Sequence, residues 1–476
     1  MNLGGIIMFA DVQDVTRYIE SNGIKLIDLK FIDLPGRWHH ITIPVSDSCN
    51  AIFEEGIPFD SSSIQGFRGV ESGDLSLIPD ISTGFNEPFS EIATLSFICN
   101  ICEADTKEGI PDDPRSIALR ADRLLKEKFG ADSLWLPELE FYLFDSAEYS
   151  TNRNSAYFEF ISKENDPTYD GFTNKINGAY HALPPHDTAN HLRDQMVELI
   201  EDVGVKVRYH HHEGGAFGQQ EIEIVPTNLV HAADAVMLMK YIVRMVAYQN
   251  NQVATFMPKP LYNEAGTGMH FHQFMVKDGK SLFWDEKGKY THLSKMALSS
   301  IAGILDHAPS IVGITNPSTN SYKRLVEGFE APTKGFYGLA NRCAAIRIPK
   351  YDDCPELKRF EFRPPDPTCN PYLAISAQLM AALDGIDRDL NPDEMGFGPF
   401  DDDVFAWSKE KQDNIKSLPT DLGCALKALS EDHDYLLKDG VFCKEIIGRH
   451  IAHAQKIAED IKQYPTAREI EMYFDL

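Results

Sequence analysis

Apolar and polar residues alternate most clearly over residues 137–144, which read PELEFYLF. Strand-forming aromatic and aliphatic residues dominate this stretch, and a strand directs alternate side chains to the same face. Glu138 and Glu140 therefore share one face, while Leu139 and Phe141 share the other. Adjacent carboxylates repel each other unless a cation or a proton lies between them. Taken alone, the stretch is best interpreted as a strand with a solvated acidic face.

The same alternation returns in three later stretches, QEIEI, GMHFH and RFEFR. In each, apolar residues form one face and charged or imidazole side chains form the other. Each alone is consistent with a surface strand, but four together favour a single sheet around a shared polar cavity. Carboxylates buried there would require cations. The polar members of the three stretches are Glu221, Glu223, His270, His272, Arg359, Glu361 and Arg363.

Helical periodicity alternates with these strand patterns. The clearest helix start has Asp113 as N-cap and Pro114 at the first position, with Gly130 beyond the end. Further strands are predicted at 24–33, 38–44, 91–102 and 205–210, and residues 56–77, rich in Gly, Ser and Asp, are predicted to be a loop. Helices are predicted at 11–22, 114–129, 187–202, 229–250, 292–307, 371–387, 422–437 and 443–463.

The chain is long enough for more than one domain, with 476 residues. Residues 1–112 are predicted to form a small, strand-dominated domain that ends in an acidic, proline-containing linker. Residues 113–476 are predicted to form a larger domain. Because its strands are polar on one face, we expect an open, curved sheet with a wet concave side and helices outside.

The net charge of the chain argues against some classes of function. The formal net charge of −27 argues against general binding to nucleic acid or to an anionic membrane. The start of the chain lacks the basic lead-in and the cleavage site of a signal peptide, and no apolar run of membrane-span length is apparent. We therefore expect a cytoplasmic protein.

The types of ligand in the predicted cavity indicate its metal. Glutamate oxygens dominate, with a minority of imidazoles, and hard oxygen ligands favour Mg²⁺ or Mn²⁺ over zinc. There are more carboxylates than one ion needs, which indicates at least two sites. Arg324, Arg342 and Arg347 fall in nearby loops. Two divalent ions and several arginines are typical of phosphoryl transfer, although a surface ion pair is the simpler interpretation of each arginine alone.

Several longer motifs carry a resemblance to a known family. They are FDSSSIQGFRG, HHEGGAFGQQEIE, MPKP with GTGMHFH, NPSTNSYKRLVEGFEAP, NRCAAIRIP and RFEFRPPDPTCNPYLA. In this order they resemble type I glutamine synthetases, and the match runs from about Asp11 to the C-terminal YFDL. The resemblance implies an α+β fold with a small β-grasp-like N-terminal domain and a large catalytic domain built on a curved antiparallel sheet. It also implies ATP-dependent ligation of L-glutamate and ammonia through γ-glutamyl phosphate, in a dodecamer of two hexameric rings.

The resemblance also implies a ligand for each of several residues. One divalent ion is assigned to Glu140, Glu213 and Glu221, and the other to Glu138, His270 and Glu361. Glutamate is assigned to Arg324, Arg363, Gly266 and Arg347. ATP is assigned to Tyr180, His272, Arg342, Arg347 and Arg359. Ammonium is assigned to Asp60 and Asp74, which a neighbouring subunit contributes, and to Glu330, which closes the site. These three residues and Arg342 are the expected catalytic residues.

The chain departs from the family pattern at two places near the substrates. Glu264-Ala265-Gly266 stands where the family has Asn-Gly, and Ala340 replaces the usual Arg. A γ-glutamyl ligase acting on a larger amine therefore stays open as an alternative. A non-catalytic protein on the same fold is a further alternative, but it would be marked by lost metal ligands, and none is lost.

Overall fold

The computed structural model describes residues 7, 9–46, 51–69, 72–166, 168, 171–351 and 353–476. Within these ranges the chain is α+β, with one sheet in its N-terminal part and a larger sheet in the rest. Each sheet has its own apolar core. The fold class expected from the sequence is confirmed.

The smaller sheet lies entirely before residue 104. In the described part of the chain its order is β2-β1-β6-β4-β3, with β5 added beside β6. The β1–β6 pair is parallel and the other pairs are antiparallel. Its strands are β1 Leu26–Ile32, β2 Trp38–Pro44, β3 Ile57–Asp60, β4 Asp74–Pro79, β5 Phe85–Asn86 and β6 Thr94–Glu103.

The larger sheet has the described order β10-β11-β7-β14-β18-β17-β16, with short strands attached to β7 and β14. All its pairs are antiparallel except β16–β17. The bounds are β7 Asp132–Phe144, β10 Val207–His212, β11 Gln219–Ile224, β12 Thr227–Asn228, β13 Val253–Thr255, β14 Met269–Lys277, β15 Lys280–Ser281, β16 Lys334–Leu339, β17 Ala344–Ile348 and β18 Phe360–Phe362. A separate hairpin comprises β8 Ser146–Thr151 and β9 Ala156–Ile161.

Four of the longer helices, α3, α4, α5 and α6, pack against strands of the larger sheet, and α8 packs against α3, α5 and α6. Local chemistry fixes their ends: Asp113 caps the start of α3 through the amides of Arg115 and Ser116, and Gly130 ends it with a positive φ. The helices are α1 Val12–Asn22, α2 Ile52–Glu55, α3 Pro114–Phe129, α4 Asn190–Asp202, α5 Leu229–Gln249, α6 Lys295–Thr315, α7 Ser321–Arg324, α8 Pro371–Asp387, α9 Lys409–Asp413, α10 Leu422–Glu431, α11 Asp434–Leu437, α12 Lys444–Lys462 and α13 Ala467–Tyr473.

Two predictions from the sequence are wrong. Residues 56–77 are not a loop throughout, because β3 and the start of β4 lie within them and pair with each other. Polar composition concealed strands that bury only part of their side chains. Helix α6 continues beyond residue 307, through Pro309, to Thr315. It is long and apolar enough to cross a membrane, but 83% of its most apolar window is buried inside the protein, as expected for a core helix.

Polar contacts join the two sheet-bearing parts. The buried Arg115 guanidinium bridges Asp80 at 2.9 Å and Asp234 at 3.0 Å. The Asn370 side-chain amide donates to the carbonyls of Asp33 and Leu34. Gly36 lies so close that a Cβ there would be 3.0 Å from the Asn370 backbone. These contacts attach the N-terminal sheet to α3, α5 and the start of α8. The predicted boundary at residues 112 and 113 stays a prediction.

Candidate active site

Strand register brings the polar residues of the four alternating stretches together. Glu140 is the cross-strand partner of Glu221, and Glu138 is the partner of both Glu223 on one side and His270 on the other. One strand further, Glu361 is the partner of His272 and of Arg347. Cross-strand partners lie about 5 Å apart at Cβ, so a continuous row of carboxylates crosses the middle of the sheet.

A cavity of about 1090 Å³ opens over this row. Its walls come from β7, β10, β11, β14, β17 and β18 and from the loops at 177–181, 213–214, 265–266 and 328–331. Most residues assigned from the sequence line it. They are Glu138, Glu140, Tyr180, Glu213, Glu221, Gly266, His270, Arg324, Glu330, Arg342, Arg347, Glu361 and Arg363.

Mutual repulsion and burial raise the pKa values of three carboxylates in the cavity. Burial, reinforced by the Glu361 charge, raises the pKa of Glu138 to about 7. Burial and the Glu140 charge raise the pKa of Glu213 to about 8. The pKa of Glu221 is raised well above its ordinary value by burial and by Glu138. Without cations, this group of carboxylates would hold protons near neutral pH.

The pKa values of Glu361 and Glu140 are instead lowered. Although burial opposes ionisation, the neighbouring Arg363 holds the pKa of Glu361 well below its usual range. Arg347 adds a contact from Nη1 to Glu361 Oε2 at 2.6 Å. Burial likewise opposes ionisation of Glu140, but His270, whose Nε2 lies 3.3 Å from Glu140 Oε1, lowers the pKa of Glu140. The cavity therefore contains carboxylates of lowered pKa beside carboxylates of raised pKa.

The grouping of candidate metal ligands differs in part from the assignment made from the sequence. One group with ligand atoms within 4.8 Å of one another is Glu138, His272 and Glu361, so His272 stands where His270 was assigned. His272 Nε2 is 2.8 Å from Glu138 Oε1, whereas His270 faces Glu140. The other groups are His211, Glu213 and Glu221, and Glu138, Glu221 and Glu223.

The donor set fits divalent ions. Glu213 Oε2 is buried and has no hydrogen-bond partner among the described residues. Carboxylate oxygens dominate each group, and neutral imidazole is the minority ligand, a combination that suits Mg²⁺ or Mn²⁺. Burial lowers the pKa of His211 to about 4 and that of His272 to about 3, so both rings are available in the neutral form that metals bind.

Two arginines of the cavity, Arg324 and Arg363, are held by backbone carbonyls. Arg324 Nη1 donates to the Pro364 carbonyl at 2.7 Å, and its Nη2 donates to the Arg363 carbonyl at 3.1 Å. Gly266 gives Arg324 room, since a Cβ there would be 2.6 Å from the arginine Cγ. Arg363 Nε donates to the Arg342 carbonyl at 3.0 Å. Fixed guanidinium groups of this kind suit carboxylate and phosphate groups.

The loop over the cavity is held in a less common backbone conformation. Gly328 has φ 97° and Glu330 has φ 55°, and a positive φ is unusual for a residue with a Cβ. The Glu330 carboxylate lies 3.6 Å from Arg342, and the Arg342 guanidinium lies over the Tyr180 ring at 5.8 Å. This conformation directs Glu330 towards the cavity, and such a local constraint is often found at functional sites.

Four assigned residues do not line the cavity of their own chain. His272 and Arg359 lie behind it, buried, with Arg359 Nε 3.2 Å from His272 Nδ1. Asp60 and Asp74 are exposed cross-strand partners in the smaller sheet. The resemblance assigns Asp60 and Asp74 to the cavity of a neighbouring subunit.

Sequence reasoning missed His211 and Asn177, which also line the cavity. His211 is the cross-strand partner of Glu221, and the alternation in RYHHHE could have indicated it. Asn177 has no such signal, because it comes from an irregular segment. The altered segment leaves Ala265 in the cavity wall, while the buried Glu264 accepts a hydrogen bond from the Ala216 amide at 3.0 Å.

Comparison with protein-family models matches residues 111–473 to the glutamine synthetase catalytic domain and residues 23–104 to the glutamine synthetase beta-Grasp domain. The chain belongs to the glutamine synthetase family. Glutamine synthetase of Aquifex aeolicus is 42% identical over 98% of this chain and 99% of its own length. That of Frankia alni is 39% identical over 98% and 100%.

Solved structures agree in fold. The cryo-EM structure of Plasmodium falciparum glutamine synthetase covers 98% of this chain and 100% of its own, with TM-score 0.89 at 25% identity. A GmaS complex with ADP has TM-score 0.82 at 24% identity, with the same coverage of both chains, and shares the fold. The reaction of the present chain is the ATP-dependent ligation of L-glutamate and ammonia, with use of divalent metal.

Proposed function

We propose that the cavity carries out this ligation in two steps, with the assigned residues holding the metals and orienting the substrates. In the first, the glutamate side-chain carboxylate attacks the γ-phosphorus of ATP, giving γ-glutamyl phosphate and ADP. In the second, ammonia attacks the acyl carbon, and phosphate leaves. The observation that carries the proposal is the strand register that lines up buried carboxylates opposite fixed arginines.

Two or more divalent ions per cavity, Mg²⁺ or Mn²⁺, would be held by the assigned set, with His211 and His272 as further candidates. Such ions supply charge neutralisation at the phosphate oxygens and at the transferred phosphoryl group. The assigned set is Glu138, Glu140, Glu213, Glu221, His270 and Glu361.

The protein's own cations orient the two anionic substrates. Arg324 and Arg363, with Gly266 at their side, bind glutamate. Arg342 and Arg347 bind the phosphates, and Arg342 also stabilises the negative charge that develops as the phosphoryl group moves. Tyr180 contributes to binding of the nucleotide, while Arg359 and His272, which contact each other, support the wall that carries Glu138 from behind. Oriented reactants and excluded water favour transfer to glutamate over hydrolysis.

Ammonium is captured by carboxylates at the mouth of the cavity. Glu330 closes the site from the loop above it. Asp60 and Asp74 of a neighbouring subunit attract the cation and accept its proton, which leaves ammonia free to attack. This arrangement requires an oligomer with active sites between subunits, which we propose to be a dodecamer of two hexameric rings in the cytoplasm.

A direct test compares ammonium with larger amines as acceptors. We expect purified protein, given glutamate, ATP and Mg²⁺, to form ADP and glutamine with ammonium, and to be at least about tenfold slower with methylamine, ethylamine and putrescine. Product mass distinguishes glutamine from N-alkylglutamine. Preference for one of the larger amines would instead support the γ-glutamyl ligase alternative, and no ADP formation with any acceptor would contradict the proposal.

A further inference from the structure

A buried ion pair lies directly behind the candidate ligand Glu213. Glu164 Oε2 and His212 Nε2 are 2.7 Å apart, and the two side chains are 1% and 0% exposed. Glu164 lies in a 3₁₀ turn, Lys163–Asn165, just after β9, and His212 is the last residue of β10. Neither residue lines the cavity.

Every polar atom of this pair has a partner. Glu164 Oε1 accepts hydrogen bonds from the Thr188 amide at 2.8 Å and from its hydroxyl at 3.0 Å. The other ring nitrogen of His212, Nδ1, lies 2.7 Å from the Glu213 carbonyl oxygen. Both ring nitrogens of His212 therefore face oxygen atoms, one of the Glu164 carboxylate and one of the Glu213 carbonyl, and these two contacts fix the position of the ring.

The same residues join three segments of backbone. The His181 amide donates to the His212 carbonyl at 2.9 Å, and the Ala179 amide donates to the Gly214 carbonyl at 3.2 Å. The segment that carries Tyr180 is therefore attached to the backbone on both sides of Glu213. The Asn174 amide donates to the Glu164 carbonyl at 2.8 Å, which extends the junction towards the turn after β9.

We propose that Glu164 and His212 form a positioning pair that sets the direction of Glu213 and of the Tyr180 segment. Glu213 Oε2 has no hydrogen-bond partner among the described residues, and His211 Nδ1 lies 3.6 Å from it, so the contacts of the carboxylate leave part of its direction to the backbone. Its direction then depends on the peptide that His212 anchors. Outer partners of this kind commonly orient metal ligands.

The inference rests on the proposed metal-binding role of Glu213, and it is tested first without turnover. In His212→Gln and Glu164→Gln, Mn²⁺ titrated into nucleotide-free protein is followed by electron paramagnetic resonance and calorimetry. We expect one class of Mn²⁺ sites to weaken by about 10–100-fold in each variant. The double variant should be little worse than either single one, because the two side chains act as one unit.

Steady-state kinetics give a second measurement. Because Tyr180 is proposed to bind the nucleotide, we expect the KM for ATP to rise more than tenfold in both variants, while kcat at saturating Mn²⁺ and ATP falls less than tenfold. Loss of general stability would not produce this division between KM and kcat in protein that is shown to be folded by circular dichroism.

His307 provides a matched control. It is also a buried histidine held by carboxylates, with Asp384 and Asp432 each 2.8 Å from its ring, and none of these three residues lines the cavity. His307→Gln should lower thermal stability but leave Mn²⁺ affinity and the KM for ATP unchanged.

Unchanged Mn²⁺ affinity in the folded variants, or an equal loss in His307→Gln, would overturn the inference. If His212→Gln does not fold, Glu164→Gln, which keeps the acceptor oxygen facing Thr188, carries the test alone. A wild-type protein that makes no glutamine would contradict the proposed function instead, and the Mn²⁺ titration would still give its own result.

Discussion

The two sheets each place a pair of carboxylates directly opposite each other, and the pairs differ in almost everything else. In the larger sheet, Glu140 and Glu221 are partners and each is 7% exposed. In the smaller sheet, Asp60 and Asp74 are partners and both are exposed. Asp60 also accepts a hydrogen bond from the Ser62 amide at 2.8 Å, and hydrogen bonding to Ser62 lowers the pKa of Asp60.

The difference shows what a row of carboxylates requires. In the larger sheet, burial raises the free energy of every charge, so the row needs protons, arginines or metal ions. In the smaller sheet, water already stabilises both charges, so the pair needs no proton, arginine or metal ion. Both carboxylates remain available to a second molecule. Strand register creates both pairs, but burial makes one of them dependent on metal.

Breaking the buried row should have the largest effect. Removing divalent ions with a chelator should abolish ADP formation. Glu361→Ala, which leaves Arg347 and Arg363 without their shared counter-charge, should lower kcat/KM at limiting Mg²⁺ by at least about a hundredfold. Steady-state assays across a Mg²⁺ range provide the measurement.

Glu87→Ala is the matched control for that prediction. Glu87 is also a little-exposed glutamate with a cation partner, Lys30 at 2.8 Å, but it lies in the smaller sheet's domain. Its loss should affect stability and leave the Mg²⁺ requirement unchanged. Full activity of Glu361→Ala at limiting Mg²⁺ would remove Glu361 from the metal site.

Breaking the exposed pair should leave a folded but inactive enzyme. Asp60→Ala should still bind ATP and glutamate but lose ammonium-dependent turnover, since the charge that attracts ammonium is missing. Mixing it with Arg342→Ala and reassembling the subunits should restore part of the activity, because some interfaces then pair an intact Asp60 with an intact Arg342. If verified subunit exchange restores none, Asp60 does not act across an interface.

Asp166 offers a control for the turn itself. Like Asp60, it accepts a hydrogen bond from the amide two residues on, at 2.8 Å from Thr168 N. The alternative role of Asp60, as a residue that merely caps a turn, predicts the same small effect for Asp60→Ala and Asp166→Ala. We expect only Asp60→Ala to lose turnover.

The sequence predicts the larger sheet's site better than the smaller sheet's strands, for a physical reason. Alternation over residues 137–144 is strict because one face packs in the core, so both the strand and its acidic face can be predicted. β3 and β4 are short, and the Gly, Ser and Asp residues of the segment between them dominate the composition of residues 56–77, which predicts a loop.

Contacts made across large sequence separations could not be predicted from a single chain. Nothing near Glu164 indicates that its carboxylate meets His212, 48 residues later, inside the protein. The choice between His270 and His272 beside Glu138 also depends on side-chain direction and not on pattern, since both histidines lie on the same strand face. Resemblance to the family assigns roles to individual residues, but it does not identify the neighbouring groups that hold those residues in place.

The pH dependence of stability should show the smallest of these effects. In metal-free protein the pKa of Glu138 is about 7 and that of Glu213 about 8, both raised mainly by burial. The folded state keeps these protons, whereas the unfolded chain releases them near pH 4.5, so their stabilising contribution is present at low pH and is lost as pH rises towards 8. Between about pH 6.5 and 8 the thermal midpoint of metal-free protein should therefore fall, by roughly 2–4 °C for each kcal/mol lost. His307, whose pKa is raised to about 9 by its two aspartate partners against the effect of burial, acts in the same direction.

Calorimetry with and without Mg²⁺ separates the contribution of the cavity carboxylates from that of His307, because only the cavity carboxylates respond to the ion. We expect Mg²⁺ to reduce the decline and Glu213→Gln to reduce it without metal, and a midpoint that rises over this range in metal-free protein would contradict the raised pKa values.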